Sequence, residues 1–143
     1  YFEFNAWEET KELTEHAKDY PYILTTNREL EHYNCGAMTR RTSNEMILKD
    51  DYLMINTEDA KENLISDGDY VCLESPRGKV DVKARITDEV KSGILSTTFH
   101  FPEIMINNLT GDVHDSEAMC PEYKVVAVRI RKSKGKFKQL ANA

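Results

Sequence analysis

Short runs of apolar and β-branched residues, separated by turns, dominate the first half of the chain. Residues 22–26 form such a run directly after Pro21, and residues 52–55 form a second one. Both runs are typical of short buried strands. Asn56 follows the second run and is succeeded by two acids, which predicts a short helix that ends near Leu64.

Alternating apolar and polar positions then predict an antiparallel hairpin, with strands at residues 70–74 and 79–87 around a Ser-Pro-Arg-Gly turn. Two further strands are predicted at residues 93–101 and 124–130. Several short strands with one or two small helices favour a mainly β fold, a compact β-barrel, over an alternating α/β sheet. This order of elements suits a double-psi β-barrel, and periodicity alone leaves other small barrels open.

Length and composition predict one domain with defined flanks. The chain has 143 residues, 40% of them hydrophobic, which suffices for a single core. We predict an N-terminal arm or linker at residues 1–19, in which a short helix is possible, the domain itself at 20–131, and a basic C-terminal tail at 132–143. The net charge of -6 argues against nucleic acid as the main partner, and no apolar run approaches the roughly 20 residues that membrane insertion requires.

Familiar catalytic and metal-binding motifs are missing from the sequence. Its six glycines do not form a phosphate-binding loop or a dinucleotide fingerprint, and its three cysteines lack the C-x-x-C spacing of zinc and iron–sulfur sites. No serine lies in a nucleophile elbow, and no motif for a zinc-activated water is present. We therefore predict no catalytic residue and no metal ligand in this chain, and we do not expect it to be catalytic alone.

A dense group of polar residues follows the first predicted strand and is the best candidate for a ligand site. Arg28, His32 and Asn34 lie close enough in sequence to face one ligand, and a guanidinium grips a phosphate or a ring edge in two places. Glu29 offers an acceptor to the N–H groups of a purine or pterin ring. The alternative is that these residues cap a turn and form exposed ion pairs. His100, between two phenylalanines, is either a partly buried histidine satisfied by backbone or an edge of the same site.

Several motifs resemble one protein family. The segment ILTTNRELEHYNCGAMTRR at residues 23–41 is similar to the start of the C-terminal domain of formate dehydrogenase catalytic subunits. The resemblance continues in order over residues 20–131 through INTEDA at 55–60, SPRGKV at 75–80, NNLT at 107–110 and PEYK at 121–124. It implies a double-psi β-barrel that closes over two pyranopterin guanine dinucleotides, which chelate molybdenum or tungsten.

The resemblance also implies a set of residues that contact the cofactor. They lie after the first strand, at the end of a second contacting strand and in the last loop, and they are Thr26, Arg28, Glu29, His32, Tyr33, Asn34, Phe99, His100, Asn108, Tyr123 and Lys124. Two positions depart from the family. Asn27 replaces a glycine that many members have, which asparagine imitates if a positive φ is needed, and Phe99 lacks the hydroxyl of a tyrosine.

By the same resemblance, the chain is a piece of a molybdopterin oxidoreductase that oxidises formate to carbon dioxide. The protein ligand of the metal and an iron–sulfur cluster then belong to earlier domains. The expected partners are those remaining domains and electron-transfer subunits, and the expected location is cytoplasmic. The alternatives are the same domain of a nitrate reductase or formylmethanofuran dehydrogenase type enzyme, or a free-standing double-psi barrel that serves as an interaction module.

Overall fold

A computed structural model describes residues 10–114 and 117–133 of the chain. It contains six short strands, which are β1 (Tyr22–Thr26), β2 (Tyr52–Ile55), β3 (Tyr70–Glu74), β4 (Lys79–Ile86), β5 (Ile94–Thr97) and β6 (Val126–Lys132). Two short helices accompany them, α1 (Lys11–His16) and α2 (Thr57–Glu62). Four 3-10 turns complete the elements, at Thr39–Arg41, Ser43–Met46, Pro102–Ile104 and Ile106–Leu109. No helix in the described ranges is long and apolar enough to cross a membrane.

The six strands form a closed barrel in the order β1-β5-β2-β4-β3-β6. Two neighbouring pairs, β1 with β5 and β2 with β4, are parallel, and the other pairs are antiparallel. Each parallel pair joins strands that are distant in sequence. This closed, mainly β structure with short helices confirms the predicted fold, a double-psi β-barrel.

The barrel closes around an apolar core supplied by every strand. Leu24, Leu53, Leu73, Leu95 and Val128 are all at most 1% exposed. They come from five different strands and belong to one cluster, so the domain has a single hydrophobic core. Burial of such side chains stabilises the fold by roughly 1.5 to 3 kcal/mol each relative to exposure.

Strand β5 ends earlier than the alternation of residues predicts. It stops at Thr97, and residues 98–101 leave the ladder because they bind the fully buried carboxylate of Asp51. The Thr98 hydroxyl donates to Asp51 Oδ1 at 2.5 Å, and the backbone N–H groups of His100 and Phe101 donate to its two oxygens at 3.0 and 2.9 Å. The buried Asp51 therefore turns residues 98–101 away from the sheet, although their sequence predicts that the strand continues.

Helix α1 is tied to the barrel by a buried ion pair. Glu12 is only 4% exposed, and it accepts two hydrogen bonds from the Arg77 guanidinium, at 2.6 and 2.9 Å, and one from the Ala127 N–H at 2.9 Å. Arg77 also donates to the carbonyl of Leu109 at 2.8 and 3.1 Å. The hairpin between β3 and β4 thus joins α1 to the loop after β5, while the domain boundary near residue 20 stays a prediction.

The same hairpin packs directly on the backbone of that loop. A Cβ atom at Gly78 would lie 2.8 Å from the carbonyl oxygen of Asn108, which is too close for any side chain. Glycine is therefore required there by close approach of two backbones. The hairpin thereby fixes the position of residues 107–109 at one end of the barrel. The candidate site lies at the same end.

Candidate functional site

Two clefts lie side by side at one end of the barrel and share the side chains of Phe99 and Asn107. The first cleft has a volume of about 640 Å³ and is lined by Thr26, Asn27, Arg28, Phe99, Asn107, Thr110, Tyr123 and Lys124. The second cleft, of about 400 Å³, is lined by Asn34, Cys35, Phe99, Phe101, Pro102, Met105, Ile106, Asn107 and Asn108. Phe99 therefore stands between the two clefts, and the two cationic side chains of the lining, Arg28 and Lys124, belong to the first cleft.

Strand direction explains why the lining residues of the first cleft meet. Strands β1 and β5 run parallel with Thr26 opposite Thr97, so the residues after both strands emerge at the same edge. Strand β6 is antiparallel to β1, with Leu24 opposite Val126, and so it begins at that edge and brings Tyr123 and Lys124 to it. Segments nearly 100 residues apart are joined here by barrel topology.

Hydrogen bonds hold the start of β6 against the end of β1. The Lys124 ammonium donates to the Thr26 carbonyl, and the Thr26 hydroxyl donates to the Tyr123 carbonyl at 3.4 Å. Arg28 is exposed and its guanidinium carbon lies 5.9 Å from the centre of the Phe99 ring. Among the described residues, the lining contains two cations and no carboxylate. The first cleft is therefore suited to an anion.

His100 lies behind the clefts and is fully buried. Its Nε2 accepts a hydrogen bond from the backbone N–H of Glu29 at 2.9 Å, and its Nδ1 lies 2.5 Å from the carbonyl oxygen of Asn34. Because the carbonyl is only an acceptor, Nδ1 carries the proton and the ring is neutral. Backbone groups thus contact both ring nitrogens, as one of the two interpretations of His100 predicts, and a contact of His100 with a ligand stays a prediction.

The carboxyl group of Asp51 supports His100 from the other side, through the backbone. Burial raises the pKa of Asp51, while the hydrogen bonds from Thr98, Phe101 and His100 oppose that rise. A carboxylate with three donors satisfies most of its acceptor capacity, so it fixes residues 98–101 rather than offering itself to a ligand.

His32 plays a comparable part inside the segment of residues 28–48. It is 4% exposed, its Nε2 lies 2.9 Å from the Leu48 carbonyl oxygen, and its Nδ1 lies 3.0 Å from Thr39 Oγ1. The Thr39 hydroxyl oxygen also accepts from the Tyr33 N–H at 3.2 Å, so the hydroxyl donates to Nδ1 and Nε2 donates to Leu48. His32 thus ties both ends of the segment together.

Glu29 forms a further internal contact. Its carboxylate accepts a hydrogen bond from the Tyr52 hydroxyl, and the guanidinium carbon of Arg85 lies 4.8 Å from the centre of the Tyr52 ring. Burial, followed by the hydrogen bond and the charge of Glu29, raises the pKa of Tyr52 to about 12. The Glu29 side chain is therefore already engaged within the domain.

The predicted contact residues accordingly fall into two groups. Seven line the clefts, namely Thr26, Arg28, Asn34, Phe99, Asn108, Tyr123 and Lys124. Four do not line them, namely Glu29, His32, Tyr33 and His100, of which Tyr33 is 57% exposed and the other three bind within the domain. The barrel brings the first group together at one edge, and most of the second group supports the segment behind it.

Sequence reasoning did not select three residues that line the first cleft, Asn27, Asn107 and Thr110. Asn107 and Thr110 belong to the NNLT motif, so the motif was a usable signal for them. Asp51 was also missed, because nothing in its local sequence separates it from the neighbouring Asp50. In the described part of the chain, no cluster of three or more His, Cys, Asp or Glu is arranged to hold a metal.

Comparison with known families matches residues 22–127 to the Molydopterin dinucleotide binding domain. The chain belongs to this family. The match covers the barrel from β1 into β6, including both groups of site residues. The dinucleotide-binding domain thus has its two clefts inside the matched region.

Relatives of the domain are much longer proteins. It is 44% identical over 116 residues to the F420-dependent formate dehydrogenase subunit alpha of Methanocaldococcus jannaschii, covering 80% of this chain and 17% of that one. It is 32% identical over 116 residues to the periplasmic nitrate reductase of Desulfovibrio desulfuricans, covering 80% of this chain and 15% of that one. The chain therefore spans about a sixth of the length of the curated relatives it matches.

A solved structure shows the same fold. Acetylene hydratase from Pelobacter acetylenicus superposes with a TM-score of 0.75 at 16% identity, over 92% of this chain and 21% of the other. The family and its formate dehydrogenase relatives support molybdopterin guanine dinucleotide as the cofactor of this domain.

The residues of the first cleft fit that cofactor. Two cations without a lining carboxylate suit its pyrophosphate. Asn27 is also in the lining, and its buried side-chain oxygen has no hydrogen-bond partner among the residues that the structure describes, so it is an acceptor whose donor is still missing.

Proposed function

We propose that this domain binds molybdopterin guanine dinucleotide in the two adjoining clefts, as the C-terminal domain of a catalytic subunit that oxidises formate to carbon dioxide. The observation that carries the proposal is the first cleft, in which Arg28 and Lys124 converge from separate segments and no lining residue in the described ranges is acidic. Such a site stabilises the pyrophosphate of a dinucleotide without a glycine-rich loop.

Each cleft supplies a different part of the binding. Arg28 and Lys124 bind the phosphates, with hydroxyl groups from Thr110 and Tyr123 nearby as additional donors. Phe99 separates the clefts and offers a ring face to a flat heterocycle, and the exposed Asn108 offers a side-chain amide at the rim of the second cleft. His32, His100 and Glu29 support these residues from within the domain.

The proposed chemistry resides in the bound group and in other domains. When bound, the cofactor supplies a molybdenum or tungsten centre that accepts the two electrons released as formate becomes carbon dioxide and a proton. The residues of this chain bind and orient the cofactor. The protein ligand of the metal and an iron–sulfur cluster are expected in the remaining domains of the parent subunit, with electron-transfer subunits as partners and the cytoplasm as location.

Formate is favoured over nitrate as the substrate by degree of similarity. The formate dehydrogenase subunit is 44% identical to this chain and the nitrate reductase 32%, over equal lengths. Nitrate reduction, with the same cofactor, is the second candidate. A free-standing interaction module would give no reason for two cations to line a cleft of dinucleotide size.

The test is to purify the polypeptide that carries this chain and measure its guanine nucleotide, molybdenum and tungsten content. We expect at least one guanine nucleotide per polypeptide and reduction of a viologen dye that depends on formate. Activity with nitrate and none with formate would favour the second candidate. Absence of guanine nucleotide and of both metals from the purified polypeptide would contradict the proposal.

A further inference from the structure

Asn27 lines the first cleft, and its backbone conformation does not require asparagine. Its backbone N–H donates to the Thr97 carbonyl at 2.9 Å, which continues the parallel ladder of β1 and β5 by one residue. Its φ is not positive, whereas positive φ is adopted nearby by Asn34 and Gly36. The interpretation that asparagine here imitates the backbone freedom of glycine is therefore not supported, and the side chain needs another explanation.

The side chain of Asn27 lowers the stability of the fold, because one of its polar atoms is buried without a hydrogen bond from any described residue. Its Oδ1 is buried, and no described residue donates a hydrogen bond to it. A buried amide oxygen without a donor destabilises a fold, so such groups in native proteins usually have a ligand, an ion or a water as partner. Asn27 is also one of the residues that line the cleft that holds Arg28 and Lys124.

We propose that Asn27 is a specificity-determining residue, whose amide oxygen accepts an N–H donor from the 2-amino-4-oxopyrimidine edge of the cofactor. This inference rests on the proposed function and adds to it. Guanine and pterin both carry that edge, with a ring N–H beside an exocyclic amino group. The neighbouring cations bind the phosphates and do not distinguish one ring from another, and among the neutral polar residues of the lining Asn27 is the one with a buried oxygen that lacks a donor in the described residues.

Two substitutions separate recognition from structure. Asn27→Leu has nearly the same shape but no hydrogen-bonding group, so it removes the acceptor and keeps the backbone bond to Thr97. Asn27→Asp keeps an acceptor and removes the donor, so it still matches two adjacent N–H groups. Because Asn27→Leu also removes an unpartnered buried oxygen, its melting temperature is expected to be no lower than that of the wild type.

The experiment is an NMR titration of the 143-residue chain, which detects weak binding, with GDP, ADP and the phosphate-free pterin neopterin as probes. GDP and ADP carry the same phosphates, so the ratio of their affinities isolates the base. If the edge belongs to guanine, the wild-type preference for GDP over ADP falls about tenfold in Asn27→Leu and persists in Asn27→Asp. If the recognised edge belongs to the pterin, the affinity for neopterin falls about tenfold in Asn27→Leu and persists in Asn27→Asp. The ratio of the GDP and ADP affinities then stays unchanged in both variants.

The outcomes that contradict the inference are distinct from failure of the proposed function. Wild-type binding of GDP or neopterin that Asn27→Leu leaves unchanged overturns the role of Asn27 and leaves the proposed function standing. A melting temperature of Asn27→Leu well below that of the wild type shows instead that the side chain is structural, and overturns the inference as well. Wild-type protein that binds neither probe contradicts the proposed function, and the inference with it.

Discussion

The two groups of predicted site residues differ in what their polar atoms do. Behind the clefts, the predicted residues His32 and His100 are buried, as is Asp51, which the sequence did not predict, and their polar side-chain atoms bind other parts of the domain. At the cleft surface, Arg28 is exposed and its guanidinium lies over the Phe99 ring rather than against a carboxylate in the lining. The first group is expected to govern stability and the second to govern affinity, although sequence motifs place both in one site.

The largest effect on stability is expected from Asp51→Ala. It leaves the Thr98 hydroxyl and the backbone N–H groups of His100 and Phe101 without their acceptor. Three buried donors without partners predict a loss of about 3 to 5 kcal/mol in the free energy of unfolding, measured by urea denaturation. Asp50→Ala is the matched control and is expected to cost less than about 1 kcal/mol. Equal losses from the two would show that the buried network does not hold this end of the barrel.

A smaller loss is expected from His100→Leu. The variant keeps an apolar side chain of similar bulk, but it leaves the Glu29 N–H and the Asn34 carbonyl unpaired. We expect about 2 to 3 kcal/mol lower stability in the same assay. His114→Leu, at an exposed histidine, is the control and should leave the denaturation midpoint unchanged. A stable His100→Leu protein with lower cofactor affinity would move His100 from the supporting group to the contact group.

Arg28→Ala is expected to show the opposite pattern. Its melting temperature should stay within a few degrees of the wild type, because the side chain is exposed. Affinity for the guanine dinucleotide should fall about ten- to a hundredfold, since one charge-assisted contact contributes roughly 1.5 to 3 kcal/mol. Arg28→Lys should restore it only in part, because an ammonium lacks the bidentate geometry. Unchanged retention of cofactor would support the alternative that Arg28 belongs to an exposed turn.

The smallest effect is expected from an ion pair outside both groups. The hydrogen bond from Arg129, and that from Arg131, lower the pKa of Glu74. A lowered carboxyl pKa gives stability that is present above the unfolded-state pKa, about 4.3, and is lost as the pH falls below it. Glu74→Gln should therefore lower the melting temperature by at most about 3 °C at pH 7, and the difference should shrink steadily as the pH falls below about 4.3. A difference in melting temperature between the wild type and Glu74→Gln that grows at acid pH would contradict a lowered pKa of Glu74.

Much of the barrel could be predicted from the sequence because its strands carry local signals. The limits of β1, β2 and β3 match the predicted runs, since turns and β-branched residues mark their ends. The end of β5 was misplaced because Asp51, 47 residues away from Thr98, draws the chain out of the ladder. A distant partner of this kind leaves no trace in the alternation of residues.

The candidate site was only partly accessible for the same reason. The polar segment after the first strand predicted Arg28, the family resemblance predicted Phe99 and Lys124, and barrel topology places these three around one cleft. The sequence does not show which histidines have their nitrogens occupied, because the partners of His32 include a backbone carbonyl 16 residues away. Only the hydrogen bonds seen in the structure separate residues that can contact the ligand from residues that hold the site in place.

The most direct test of the central claim is the amount of guanine nucleotide that stays with the parent polypeptide after gel filtration, in the Arg28→Ala/Lys124→Ala double variant. The control is Arg131→Ala, an exposed arginine at the far end of β6, roughly 20 Å from Lys124 at a strand rise of about 3.3 Å per residue. We predict that the wild type and the control retain the nucleotide, and that the double variant loses most of it without a change in fold. Full retention by the double variant would contradict the assignment of the first cleft as the cofactor site.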